Sequence, residues 1–236
     1  MKVDLFGDNV GCVEYVKHDG NDLTTVNAAR VSFGAHKEEI DDKDVKLINY
    51  LVSHGHTSPF EHCGITFRFV VPLFIRSQHH RHRTWSYNEI SRRYTSVDMQ
   101  FYEPLEFRTQ HKSNRQASNN ELINPELGNS CKGLVPSSLY TACSAVRDHH
   151  LKSVQLYNQL IEKGVCREQA RGVLPQNLYT QYYGTVDLHN LLKFVSLRIH
   201  EGAQWEIQQV AKACLQIAEG FFPHSIEAFR KHRGDI

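Results

Sequence analysis

Residues 64–72, GITFRFVVP, set Ile65, Phe67, Phe69 and Val71 on one side of an extended chain and Thr66, Arg68 and Val70 on the other. That period-2 alternation marks a strand with one face in a core. Pro72 closes the strand and suits the first turn of a helix, so LFIRSQHHRHR is predicted to leave the strand directly as helix. The chain has 236 residues, enough to bury a core without disulfide or metal staples.

Other elements follow from pattern and punctuation. VDLFGDNVGCVEYV (3–16) breaks at Gly7 and Gly11 and reads as strand, turn and strand. Asp22 is placed to cap a short helix over LTTVNAARVSF. DDKDVKLINYLVSHG begins with acids, puts Val45, Ile48, Leu51 and Val52 on one helix face, and stops at Gly55. Ser137 or Ser138 is expected to cap a long helix that Gly164 terminates. Further helices are predicted at REQARGVL, ended by Pro175, at DLHNLLKFVSLRIH, capped by Asp187, at AQWEIQQVAKACLQIAEGFF and at SIEAFRKH. Residues 110–130 are polar and rich in Asn and Ser, and read as a mobile loop, either a lid or a tolerated surface insertion. The whole, residues 1–236, is expected to be one α+β domain with an antiparallel or mixed sheet and a helix-rich C-terminal half.

Composition narrows the function classes. With 27 basic and 26 acidic residues the net charge is +1, which argues against nucleic-acid binding through overall charge, so anion recognition must be local. The six cysteines are scattered without a CxxC pair, as in a reduced cytosolic protein. MKVDLFGDNVG lacks the apolar core of a signal peptide and no run approaches the roughly 20 apolar residues of a membrane span, so the cytoplasm is the expected compartment.

The local charge sits in RHRTWSYNEISRRY (81–94), where four arginines and a histidine surround one acid, Glu89. Interspersed acids would make this a solvated face. With Glu89 alone, a bound anion is needed, and the planar guanidinium fits phosphate or carboxylate with paired charge-assisted bonds. If 86–94 is helical, Glu89 and Arg93 share a face while Arg92 points roughly 100° away. Glu168 and Arg171 form a second acid–base pair three residues apart, and Arg198 stands among Val195, Leu197 and Ile199, where burial without an acceptor is costly. His54, His56, Glu61 and His62 have the residue types of a zinc or iron site, but the neighbouring arginines disfavour a metal. A binding module stacking bases on Trp85, Tyr87 and Tyr94 and a metal-dependent hydrolase are the competing readings.

Arg81, His82, Arg83, Ser86, Asn88, Glu89, Ser91, Arg93 and Tyr94 match every fixed position of the signature of the flavin-dependent thymidylate synthases, the ThyX type. NDLTTVNAARVSFG, LINYLVSHGHTSPFEH, REQARGVLPQNLYTQYY and GAQWEIQQ resemble segments of the same family in the same order. The resemblance implies a family-specific α+β fold and a homotetramer with active sites assembled between subunits. It also implies conversion of dUMP to dTMP with FAD as cofactor, methylenetetrahydrofolate as carbon donor and NADPH as reductant, with no metal, nucleic acid or membrane partner.

By position, the resemblance makes Ser58, Arg81, His82, Arg83, Glu89, Asp187, Leu188, His189 and Lys193 flavin contacts. Gln78, His79, His80, Arg81, Glu89, Ile90, Ser91, Arg92, Arg93, Arg171 and Arg198 become dUMP contacts, and His56 lies near folate or reductant. Three positions depart from common family residues: Lys193 stands for Asn or His, Asp187 for Asn, and Ser58 for Thr. Asp187 would suit a flavin or ribose hydroxyl but not a phosphate. Ser91 is expected to be a substrate ligand before a nucleophile, and Arg198 to stabilise the uracil as an N3 anion.

Overall fold

The computed structural model describes residues 1–94, 99–128 and 140–233. In chain order these form strands β1 (Lys2–Asp4), β2 (Cys12–Asp19), β3 (Gly64–Pro72), β4 (Ser86–Glu89), β5 (Phe107–Gln110), β6 (Ser118–Ile123) and β7 (Tyr179–Asp187). The helices are α1 (Asp22–Arg30), α2 (Asp42–Ser53), α3 (Leu73–His79), α4 (Ala142–Glu162), α5 (Arg167–Ala170), α6 (Leu188–Ile199), α7 (Trp205–Glu219) and α8 (Pro223–Arg233). The class is α+β. The chain groups into two compact units, one of Met1–Val71, Ile75–Glu89 and the chain from Gln181 onward, the other of Pro72–Phe74 and Ile90–Thr180.

The first unit holds a five-stranded sheet in the order β1-β2-β3-β7-β4. Ile65, Phe67, Phe69 and Val71 are fully buried, as the alternation predicts. Thr66 is buried too, because its hydroxyl meets that of Thr185 on the neighbouring strand at 2.9 Å. β2 runs antiparallel to β3 with a register shift between Tyr15 and Lys17, and β4 runs antiparallel to β7 with Glu89 opposite Tyr182. Gly184 on β7 is required by close approach: a Cβ there would lie 2.9 Å from the Phe69 ring and 3.1 Å from Trp85.

Three expectations are corrected in this unit. Residues 86–89 are a strand, not the start of a helix, so the shared helical face of Glu89 and Arg93 does not exist. Trp85 and Tyr87 turn inward while Ser86 and Asn88 face water, a period of two that suits the open edge of β7. The α1 cap is Asn21, whose side chain accepts from the Leu23 and Thr24 amides in a capping box. Asp22 is buried and accepts from the His224 amide (2.8 Å) and the Ser225 amide (3.0 Å), serving the N-terminus of α8 instead. Finally, α3 ends at His79, and residues 80–83 continue as turns rather than helix.

α2 follows its predicted face, with Ile48, Leu51 and Val52 buried and Val45 only partly so. Its N-terminal acid Asp44 is buried against Arg30 and Lys37. Burial alone would raise that carboxyl, but the Lys37 ammonium, the Asp41 amide and the Arg30 guanidinium hold it well below the usual range.

In the second unit, Tyr157, Ala170, Leu174 and Leu178 form a core joined by Leu73 and Phe101. The stretch expected as a loop from 110 carries β6, which pairs antiparallel with β5. Its partners are polar: Arg108 donates to Ser118 Oγ (3.1 Å) and Asn119 to the Gln110 carbonyl (3.1 Å). The apolar residues of the ribbon, Phe107, Leu122 and Ile123, gather at one end, and Leu122 and Ile123 are adjacent, so no hydrophobic alternation runs along it. α4 is capped at Thr141 and closed by Gly164 in a left-handed conformation, while Ser137 and Ser138 lie outside the described residues. Among the described residues no helix is long and apolar enough to cross a membrane.

Candidate active site

In the first unit, the end of α3 and the strand β4 build an aromatic cage around His79, which has no exposed surface. Its Nδ1 meets the Tyr182 hydroxyl at 2.8 Å, and its ring lies 4.5 Å from Trp85, 4.7 Å from Phe194 and 4.8 Å from Phe69. Burial, reinforced by His82, His80 and Arg198, pushes the imidazole well below its ordinary pKa, so it is neutral. Tyr87 ties down the turn beneath, its hydroxyl donating to the His79 carbonyl at 2.9 Å and the His82 carbonyl at 3.2 Å. His80 stacks on Tyr87 with ring centroids 4.0 Å apart. His79, expected by resemblance to contact substrate, has no accessible surface in the chain, and its ring packs beneath the motif. His80, half-buried, spends one ring face on Tyr87.

The arginines of the same segment have the opposite surroundings. Arg81 and Arg83 are exposed, and their side chains have no protein partner among the described residues. Glu89, the lone acid of the motif, sits 3.2 Å from Arg76 on α3, so it balances a cation from outside the motif. Gln78 donates to the Gln204 carboxamide, which in turn donates to Glu206. Arg198, near the end of α6, donates from Nε to His82 Nε2 at 3.0 Å. Burial first, then the charges of Arg198 and Lys193, lowers His82 to about 4. Burial also lowers the Arg198 pKa from its ordinary value.

A cavity of about 320 Å³ opens beside α6 in the same unit. Its polar lining is His56, Thr57, His189, Lys193 and Ser196, and its apolar lining includes Leu51, Val52, Phe60, Leu192 and Phe229. His189, Leu192, Lys193 and Ser196 recur at helical spacing and so share one face of α6, a pattern that extends the predicted pair to Ser196. His56 meets Tyr50 edge to face at 5.7 Å, and Tyr50 stacks on His54 at 4.0 Å. Ser58 is exposed and adjoins Thr57 in the turn that leads to β3. His54, His56, Glu61 and His62 do not converge; no group of three or more possible metal ligands gathers among the described residues.

Two expected flavin contacts have other employment. The Asp187 carboxylate caps α6, accepting from the Asn190 amide (2.8 Å) and side chain (2.7 Å). Leu188 is fully buried and its amide donates to the Cys63 carbonyl at 2.9 Å. Both bonds have one cause: the first turn of α6 must satisfy its own orphan amides.

In the second unit, Ile90 follows directly on β4 and is half-buried. Ser91 Oγ accepts from the Arg93 amide at 3.3 Å. Arg92 donates to the Tyr179 carbonyl at 3.3 Å, and Arg93 lies over the Tyr94 ring at 5.4 Å. Arg171 Nε donates to the Glu168 carbonyl at 3.3 Å, a backbone contact in place of the predicted ion pair.

Exposed guanidinium groups at Arg81 and Arg83, and a cavity lined by imidazole, ammonium and apolar groups, are the features an enzyme uses to take up anionic, partly apolar ligands. The donor set fits a flavin dinucleotide: Arg81 and Arg83 offer cations to a pyrophosphate, and the cavity offers an apolar wall with Lys193 and His56 at its edge. The family model described as "Thymidylate synthase complementing protein" matches residues 14–224, and the chain belongs to that family. It is 41% identical over 228 residues to a flavin-dependent thymidylate synthase of Thermotoga neapolitana, covering 96% of this chain and 94% of that one. It is 42% identical over 222 residues to one of Thermus thermophilus, covering 94% and 76%. Among solved structures it resembles the UMP/dUMP methylase PolB of Streptomyces cacaoi bound with 5-Br dUMP, at 32% identity and a TM-score of 0.79 over 97% of each chain.

Proposed function

We propose that this chain is a flavin-dependent thymidylate synthase: it methylates dUMP to dTMP, with FAD as cofactor. The carbon comes from 5,10-methylenetetrahydrofolate and the electrons from NADPH, and the enzyme acts in the cytoplasm as a homotetramer whose active sites are shared between subunits. The observation that carries the reading is that Arg81 and Arg83 lack any protein counter-charge among the described residues while Glu89, the one nearby acid, is engaged by Arg76. Exposed guanidinium groups clustered without a free acid beside them are available to pair bidentately with anionic ligands.

When bound, the flavin supplies the electrons for the reductive methylation. The residues of this chain bind and orient. Arg81 and Arg83 hold the cofactor phosphates, while Ser58, His189 and Lys193 serve the flavin. Gln78, Ile90, Ser91, Arg92, Arg93 and Arg171 serve the nucleotide, and Glu89 fixes Arg76 and the ligand between them. His56 faces folate or reductant at the mouth of the cavity. Arg198 places positive charge against the pyrimidine and stabilises its N3 anion, making C5 electron-rich.

A protein nucleophile finds no support at the motif. Ser91 Oγ accepts a backbone bond, and no imidazole or carboxylate is hydrogen-bonded to it among the described residues. Cys63 is buried and its thiol is pushed up by burial.

Purified protein tests the reading directly. A yellow preparation whose flavin spectrum changes on adding dUMP is expected. Stoichiometric zinc or iron without flavin, or salt-sensitive oligonucleotide binding without flavin, contradicts it.

A further inference from the structure

Arg198 ends its side chain on His82, and elementary proton counting makes that contact directional. A guanidinium Nε is always a donor, since arginine keeps its proton at any working pH. His82 Nε2, 3.0 Å away, must therefore be the acceptor, and the ring proton must sit on Nδ1. The imidazole is partly buried, packs edge to face on Phe194 at 4.8 Å, and is held from below by the Tyr87 hydroxyl on its own carbonyl. It is thus a fixed acceptor. Its low pKa agrees with that role, since a protonated ring would set two N–H groups against each other.

We propose that His82 is the positioning residue of Arg198: by occupying Nε, it turns the outer Nη1 and Nη2 pair toward the substrate. Resting on the reading of Arg198 as the pyrimidine ligand, this adds a constraint on what the arginine recognises. A free guanidinium can pair side-on through Nε and one Nη, or end-on through both Nη atoms. With Nε committed, only the end-on mode remains, and it fits a ligand edge with two adjacent acceptors, such as the deprotonated imide of a uracil. The Nδ1–H, which has no protein partner among the described residues, is left to donate to a bound carbonyl or ring nitrogen. His82 therefore acts on the pyrimidine through Arg198, a role separate from contact with the cofactor.

The experiment compares His82→Phe, which keeps a flat ring without the acceptor, with His82→Gln, whose carboxamide oxygen reaches the place of Nε2. Both are measured in the flavin-loaded enzyme beside Arg198→Ala and the His82→Phe/Arg198→Ala double variant. With every variant first saturated with FAD, His82→Phe is expected to weaken dUMP binding about tenfold or more, the scale of a lost charge-assisted bond. His82→Gln is expected to recover most of that loss, and the double variant to bind no worse than Arg198→Ala alone.

Unchanged dUMP affinity in His82→Phe, or additive losses in the double variant, overturns the proposal while leaving Arg198 as the pyrimidine ligand. Unchanged affinity in Arg198→Ala overturns the underlying reading instead. Nitrogen NMR of the wild-type holoenzyme with labelled histidine gives an answer independent of variant folding. A neutral His82 protonated on Nδ1 is expected, and protonation on Nε2 refutes the geometry.

Discussion

Within one short segment, His79, Trp85 and Tyr87 are packed into an aromatic cage while Arg81 and Arg83 stand in solvent with no protein partner among the described residues. Trp85, Tyr87 and both arginines belong to the same cationic stretch, 81–94. The cage directs hydrogen bonds inward, from His79 to Tyr182 and from Tyr87 to two carbonyls. The rim spends none. The difference separates residues that shape the site from residues that bind in it, and each class has its own signature under substitution.

The largest effect is expected where cage and rim meet. Arg198→Ala should retain flavin and lose roughly 10²- to 10³-fold in dTMP formation, the range for deleting one preorganised transition-state donor. Turnover near that of the unmodified protein would detach Arg198 from the chemistry. In the cage, His79→Ala removes a buried ring and strands the Tyr182 hydroxyl, so denaturant unfolding should show a loss of about 3–5 kcal/mol. A change confined to dUMP affinity with stability intact would return His79 to the list of ligand contacts.

At the rim the signs reverse. Arg83→Ala should leave stability within about 0.5 kcal/mol, as for exposed residues generally, and weaken flavin binding by roughly tenfold or more, as read by fluorescence titration.

A smaller effect follows from pH. His82 titrates near 4 when folded, against 6.5 for the free side chain. Between those values the unfolded chain binds the extra proton, so the stabilisation is complete above 6.5 and is lost as pH falls toward 4. Denaturation midpoints measured across that window should fall less steeply in His82→Gln than in the unmodified protein. Ser91→Ala should have the mildest consequence, weaker dUMP binding with measurable turnover; complete inactivity at normal dUMP affinity would make Ser91 a nucleophile.

Much of this is readable from local pattern. β3, α2 and α6 announce themselves because one face of each is buried and the apolar period survives in sequence. The ribbon of β5 and β6 does not, since Leu122 and Ile123 are exposed and no face of it is buried along its length. Asn21 and Asp22 are adjacent cap-forming residues, and the choice between them depends on α8 arriving some 200 positions later to claim the Asp22 carboxylate, |i−j| = 202 for His224. Residues 86–89 carry charge spacing compatible with a helix, and the open edge of β7 decides for strand.

The site divides in the same way. Arg81, Arg83 and Arg198 stand out because unbalanced charge is visible without a fold. His79 resembles its neighbours His80 and His82 in sequence, and only packing reveals that it is fully enclosed. The bonds that the Asp187 carboxylate and the Leu188 amide make are visible only once α6 is in place.

The central claim, that this chain uses a flavin to methylate dUMP, is tested most directly by following tritium release from C5 of labelled dUMP together with dTMP formation in the flavin-loaded protein. Both products are expected only when methylenetetrahydrofolate and NADPH are present together. A protein that binds no flavin after incubation with FAD, or that binds it and leaves dUMP unmethylated with every component present, contradicts the account.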